Sequence, residues 1–103
     1  MSPGRGFLHS QIFLDRDGVI NVDSGYVGDW DNFLFLPGVI EAMRTLCEVG
    51  YALVVVTNQS GIGRGFYTEE DFHGLTERMC NELTQCVVSI AGVYFCPHLP
   101  DAT

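Results

Sequence analysis

Tyr51-Ala52-Leu53-Val54-Val55-Val56 is an almost unbroken apolar run rich in β-branched residues, the pattern of a strand buried on both faces of a parallel sheet. Upstream of it, Pro37 suits the first position of a helix, Val39, Met43 and Leu46 share one helical face, and Gly50 supplies the stop. Before that helix, Ile12-Phe13-Leu14 is short enough for a second buried strand. Strand, helix and strand in this order make a right-handed crossover unit. The fold class is therefore α/β.

Downstream, Thr68 with Asp71 three residues on forms a capping-box start for another helix, with Phe72, Leu75, Met79, Leu83 and Cys86 on one face. Val93-Tyr94-Phe95-Cys96 follows as a third strand and runs into Cys96-Pro97-His98. Met1 to Gln11 forms a polar leader expected to fray. Asn21 to Phe35 has no sustained period and holds Gly25, Gly28, Tyr26, Trp30 and Phe33. It is expected to be a long loop, and long loops in small domains are often functional.

A chain of 103 residues suits one small domain, and 47% apolar content predicts a packed core rather than disorder. The net charge is −8, with five arginines and no lysine. This argues against nucleic acid and anionic membranes as partners, since both need clustered cations. No apolar run approaches membrane-spanning length and the start lacks a signal-peptide core, so a cytoplasmic protein is expected. Four irregularly spaced cysteines in such a protein read as thiols or metal ligands rather than disulfides.

The chemistry gathers at two strand ends. Asp15 and Asp17, followed by Gly18, come directly after the first strand. Taken alone they also suit an ordinary exit turn. Thr57-Asn58-Gln59-Ser60-Gly61-Ile62-Gly63-Arg64-Gly65 follows the second strand, and taken alone a glycine-rich stretch also suits a flexible connector. In an open parallel sheet both ends face the same ligand crevice. Thr57, Asn58, Ser60 and backbone N–H groups offer donors to a phosphate, with Arg64 adding charge. Two carboxylates beside that phosphate would repel it unless a hard cation lay between them, which points to Mg²⁺. Gly61-x-Gly63 lacks the third glycine of a dinucleotide fingerprint, and no lysine completes a P-loop.

Phe13-Leu14-Asp15-Arg16-Asp17-Gly18, Val55-Val56-Thr57-Asn58-Gln59-Ser60-Gly61-Ile62-Gly63-Arg64-Gly65 and Cys96-Pro97-His98 together resemble the haloacid-dehalogenase-type phosphatases, from about Gln11 to His98. The nearest branch acts on sugar phosphates, and histidinol-phosphate phosphatases are close relatives. The resemblance implies a Rossmann-like, three-layer parallel sheet. Asp15 would be the nucleophile that forms an aspartyl-phosphate, and Asp17 the general acid and then base. Asp15 and Asp17, the latter through its carbonyl, would hold Mg²⁺. Asp23, Thr57, Asn58, Gln59 and Arg64 would bind substrate, and Arg16 and Arg64 are the cations close to the motifs.

Cys96 and His98 resemble half of a structural Zn²⁺ site, although a buried cysteine and a surface histidine fit them equally. The partner implied is a small sugar phosphate bound by a monomer. The family extends past Thr103 with further strands, a basic residue, an acidic motif and the second zinc half-site. Residues 1–103 are therefore expected to form a single, partial domain with the C-terminal strands missing and the Asp15 strand left as an edge.

Overall fold

Three parallel strands, β1 (Gln11–Leu14), β2 (Ala52–Asn58) and β3 (Ile90–Cys96), lie in the spatial order β1-β2-β3. The computed structural model describes residues 10–98, so most of the expected leader lies outside the described residues. Gln11, placed at the end of that leader by its polarity, instead opens β1 opposite Ala52. The register sets Leu14 beside Val55, Val55 beside Val93 and Thr57 beside Phe95. β2 runs two residues further than its apolar run, because Thr57 and Asn58 still pair with β3. Both therefore stand on a rigid strand end and not in the loop that follows. β3 likewise begins earlier than its most apolar residues, at Ile90.

The helices α1 (Val39–Glu48), α2 (Ser60–Gly63) and α3 (Glu69–Gln85) connect these strands. Pro37 lies just outside α1, whose N-cap is Gly38 at φ 80°, a left-handed backbone that glycine adopts without strain. The single turn of α2 replaces the loop expected over the glycine-rich stretch. Strand order follows chain order, so two right-handed crossovers step the same way and place both long helices on one face. Accordingly Met43 of α1 and Leu75, Met79 and Leu83 of α3 share one buried cluster with Leu53 and Val55. The other face shows Phe13, Val56 and Tyr94, each about half exposed or more. The described residues thus supply the sheet and one helical layer, and β1 is an edge strand as expected. None of their helices is long and apolar enough to cross a membrane.

The start of α3 is a full capping box. Thr68 Oγ1 accepts from the Asp71 N–H at 3.0 Å, and the Asp71 carboxylate accepts from the Thr68 N–H at 3.0 Å. Phe72, Leu75, Met79 and Leu83 are buried as the spacing requires, whereas Cys86 is the C-cap and only half-buried. Thr68→Ala is expected to lower stability by about 1 kcal/mol, the usual worth of such a cap. Urea denaturation reads this directly, and an unchanged midpoint would mean that packing alone holds the helix start.

The Asn21–Phe35 segment is irregular but tightly held. Asn21 bridges to Phe35, a 3₁₀ turn spans Trp30–Asn32, and Val27 and Phe33 are buried. Trp30 stacks on Phe33 with ring centres 5.3 Å apart, and the Arg78 guanidinium of α3 lies 4.8 Å from the Trp30 ring centre. These contacts tie the segment's aromatic end down, and its Asp23–Tyr26 part reaches the carboxyl ends of the strands.

Candidate active site

At the carboxyl ends of β1 and β2 lies a cavity of about 340 Å³, lined by Asp15, Asp17, Asp23, Tyr26, Asn58, Ser60 and Tyr67 among others. Parallel topology puts the two strand ends on one rim, as the crevice rule for open sheets requires. The glycine at position 18 answers to backbone geometry, since its φ is 89°. That turn lets the Arg16 carbonyl accept from the N–H groups of Val19, Ile20 and Asn21 at 3.2, 2.8 and 3.2 Å. The acidic turn is thereby rigid before any ligand arrives.

Asp15 is exposed, and its Oδ1 accepts from the Arg16 N–H at 2.8 Å. No described group bonds its other oxygen, which is free to meet a ligand. Arg16 points the opposite way and is 1% exposed. Its Nε and one terminal nitrogen donate to Asp17 Oδ1 at 2.9 and 2.7 Å, and the same terminal nitrogen donates to the Val27 carbonyl at 2.7 Å. Asn21 Nδ2 adds a third donor to Asp17 Oδ1 at 3.0 Å. Arg16 is therefore committed to holding Asp17 and the loop, and is not one of the cations a bound phosphate would meet.

Gln59 completes the network from the β2 side. It is 1% exposed, and its Nε2 donates to Asp17 Oδ2 at 3.2 Å and to Thr57 Oγ1 at 2.9 Å. Its Oε1 accepts from the Tyr67 hydroxyl. Thr57 uses its oxygen as acceptor in this contact, so its own O–H proton remains available to an anion. Burial pushes the Tyr67 phenol above its ordinary 10.0, with Asp17 and Tyr26 adding to the rise and Arg16 opposing it. At neutral pH the phenol is a donor.

The sequence-predicted residues separate into three groups. Asp15, Asp17, Asp23 and Asn58 line the one cavity. Thr57 and Gln59 are buried behind it, with Gln59 bonded to both Asp17 and Thr57. Arg64 is exposed at the end of α2, with its guanidinium 5.7 Å from the centre of the Tyr26 ring, and does not line the cavity. Cys96 is the last residue of β3 and His98 lies just beyond it, both exposed. No group of three or more metal-binding side chains occurs among the described residues, so the four ligands of a structural zinc site are not assembled within them. Tyr67 and the buried role of Arg16 were not visible in the sequence. Nothing in the spacing of Tyr67 from Gln59 marks a contact that depends on how α2 turns the chain.

For Mg²⁺ the donor chemistry fits. This ion takes one or two carboxylates with water and substrate phosphate completing six oxygens. Asp15 offers an unbonded carboxylate oxygen, and no N–H among the described residues donates to the Asp17 carbonyl. Two hard oxygen donors, two residues apart after β1, are thus left without a hydrogen-bond donor among the described residues.

No protein-family model matches the chain. Over 92 residues it is 60% identical to the D-glycero-beta-D-manno-heptose-1,7-bisphosphate 7-phosphatase of Yersinia pestis and 59% identical to that of Escherichia coli, in each case over 89% of this chain. The match covers 49% and 48% of those proteins, so the chain spans about half the length of the curated relatives it matches. The D,D-heptose 1,7-bisphosphate phosphatase of B. bronchiseptica, solved with magnesium and phosphate, superposes with a TM-score of 0.86 at 35% identity, covering 90% of this chain and 52% of that one. The corresponding Burkholderia thailandensis enzyme superposes at 0.66 with 39% identity, over 84% of this chain and 52% of that one. Sequence and backbone together make this chain similar to about half the length of the heptose-bisphosphate phosphatases, with the fold of a haloacid-dehalogenase-like phosphatase.

Proposed function

We propose that the chain carries the nucleophilic and acid/base portion of a phosphatase that removes the 7-phosphate of D-glycero-D-manno-heptose 1,7-bisphosphate, in cytoplasmic ADP-heptose synthesis for lipopolysaccharide. The observation that supports this best is the shared cavity of Asp15, Asp17 and Asn58, with Thr57 joined to Asp17 through Gln59. The unbonded oxygen of Asp15 attacks phosphorus, and the bond from phosphorus to the sugar oxygen breaks. Asp17 Oδ1 is occupied by three N–H donors, so Oδ2 gives the departing oxygen its proton. Oδ2 then takes a proton from the water that releases inorganic phosphate and regenerates Asp15. Asn58 and Ser60, which line the cavity, hold the phosphoryl oxygens, the Thr57 hydroxyl adds a donor from behind them, and Asp23 accepts from sugar hydroxyls. Mg²⁺, held by Asp15 and the Asp17 carbonyl, would offset the repulsion between carboxylate and phosphate. Residues 1–103 act in this as one partial domain of an enzyme that is a monomer at full length. A phosphate-binding domain without turnover is the second reading, favoured by the absence of any arginine among the described residues that line the cavity.

Phosphate release from heptose bisphosphate, measured with Mg²⁺ and with EDTA, tests this. The expected result is release that EDTA abolishes and Mg²⁺ restores, with slower release from histidinol phosphate. Release indifferent to EDTA, or faster from histidinol phosphate, overturns the assignment. Calorimetric phosphate binding with no release selects the second reading.

A further inference from the structure

We infer that Tyr67 and Gln59 form a positioning unit that sets the donor geometry of both Asp17 and Thr57, an assignment that rests on the reacting roles proposed for those two residues. Gln59 Nε2 donates both to Asp17 Oδ2 and to Thr57 Oγ1, which leaves Oε1 facing Tyr67. The Tyr67 hydroxyl supplies the one donor that Oε1 receives among the described residues. Gln59 is buried, so an Oε1 left without that donor would be costly and its amide less firmly held.

The tyrosine is itself held in place by two close approaches. A Cβ at Gly28 would lie 2.4 Å from Tyr67 Cδ2, and a Cβ at Gly61 would lie 2.5 Å from Tyr67 Cε2. Neither glycine has the positive φ that would require glycine for backbone reasons. Both are glycines because the ring lies flush against them, its base at Gly28 and its hydroxyl end at Gly61. The loop before α1, the turn of α2 and the segment preceding α3 thus meet at one side chain. Through Gln59 that side chain orients two groups on separate strand ends. The amide of Gln59 is therefore already occupied, and substrate contact is left to its neighbours Asn58 and Ser60, which line the cavity.

Tyr67→Phe tests this, because it keeps the ring and removes only the hydroxyl. The expected result is a kcat lower by on the order of tenfold, the worth of one buried hydrogen bond, with KM within about twofold. The ¹⁵N-resolved side-chain amide protons of Gln59, slow to exchange in the wild type, should exchange faster in the variant. Gly28→Ala, which keeps the hydroxyl but displaces the ring, should show the same two changes. Wild-type kcat together with unchanged Gln59 signals in Tyr67→Phe overturns the assignment. If the wild type and Asp15→Asn release phosphate equally, the proposed chemistry fails. The amide exchange then decides the positioning claim by itself.

Discussion

Asp15→Asn is expected to lower phosphate release by on the order of 10³-fold or more, the usual cost of removing a nucleophile. The substitution preserves shape and replaces one carboxylate oxygen with an amide nitrogen that forms no acyl phosphate. The Arg16 N–H bonds Asp15 Oδ1 at 2.8 Å, and the asparagine carbonyl can keep that bond. The opposite oxygen carries the chemistry, and that is the position lost. Asp15 is exposed and outside the core cluster, so stability should change by no more than about 0.5 kcal/mol. A malachite-green assay beside a thermal melt separates the two effects. Equal rates for wild type and variant would remove Asp15 from the mechanism.

The second large effect is on folding. Arg16→Met is expected to cost about 3–5 kcal/mol, the range seen when one partner of a buried ion pair is removed. The guanidinium is 1% exposed and Asp17 19%, so water replaces little of what is lost. Methionine fills the stem's volume but leaves Asp17 Oδ1 with Asn21 alone and the Val27 carbonyl without its donor. Against the roughly 5–15 kcal/mol that holds a typical domain together, such a loss is severe. Arg16→Lys should recover only part of it, because an ammonium cannot reproduce the planar fork that reaches both Asp17 and Val27. Guanidinium denaturation of the three chains measures the order. A loss under about 1 kcal/mol in Arg16→Met would show that Asp17 is held from the Gln59 side.

Much of the architecture was legible along the chain because the signals are local. The β-branched run at Leu53–Val56, the Thr68/Asp71 capping box and the helical spacing of Phe72, Leu75, Met79 and Leu83 each depend on a few neighbouring residues, and each element formed. Boundaries shifted where tertiary pairing overrode composition. Thr57 and Asn58 joined β2 because β3 offers them ladder partners, and Gln11 joined β1 because Ala52 does. The glycine-rich stretch suggested flexibility, yet Gly61 is dictated by the face of Tyr67.

By itself the sequence determined the fold class, the two strand ends where chemistry gathers, and the identity of Asp15, Asp17 and Asn58 as groups on one rim. Periodicity and the crevice rule for parallel sheets need no coordinates. Only the tertiary structure decided that Arg16 turns inward to hold Asp17, that Gln59 is buried as a link between Asp17 and Thr57, and that Tyr67 closes the chain of contacts. The physical reason is the same in each case. A long polar side chain carries no periodic signal, and its direction depends on which distant donors, acceptors and glycine faces the fold brings within hydrogen-bond reach.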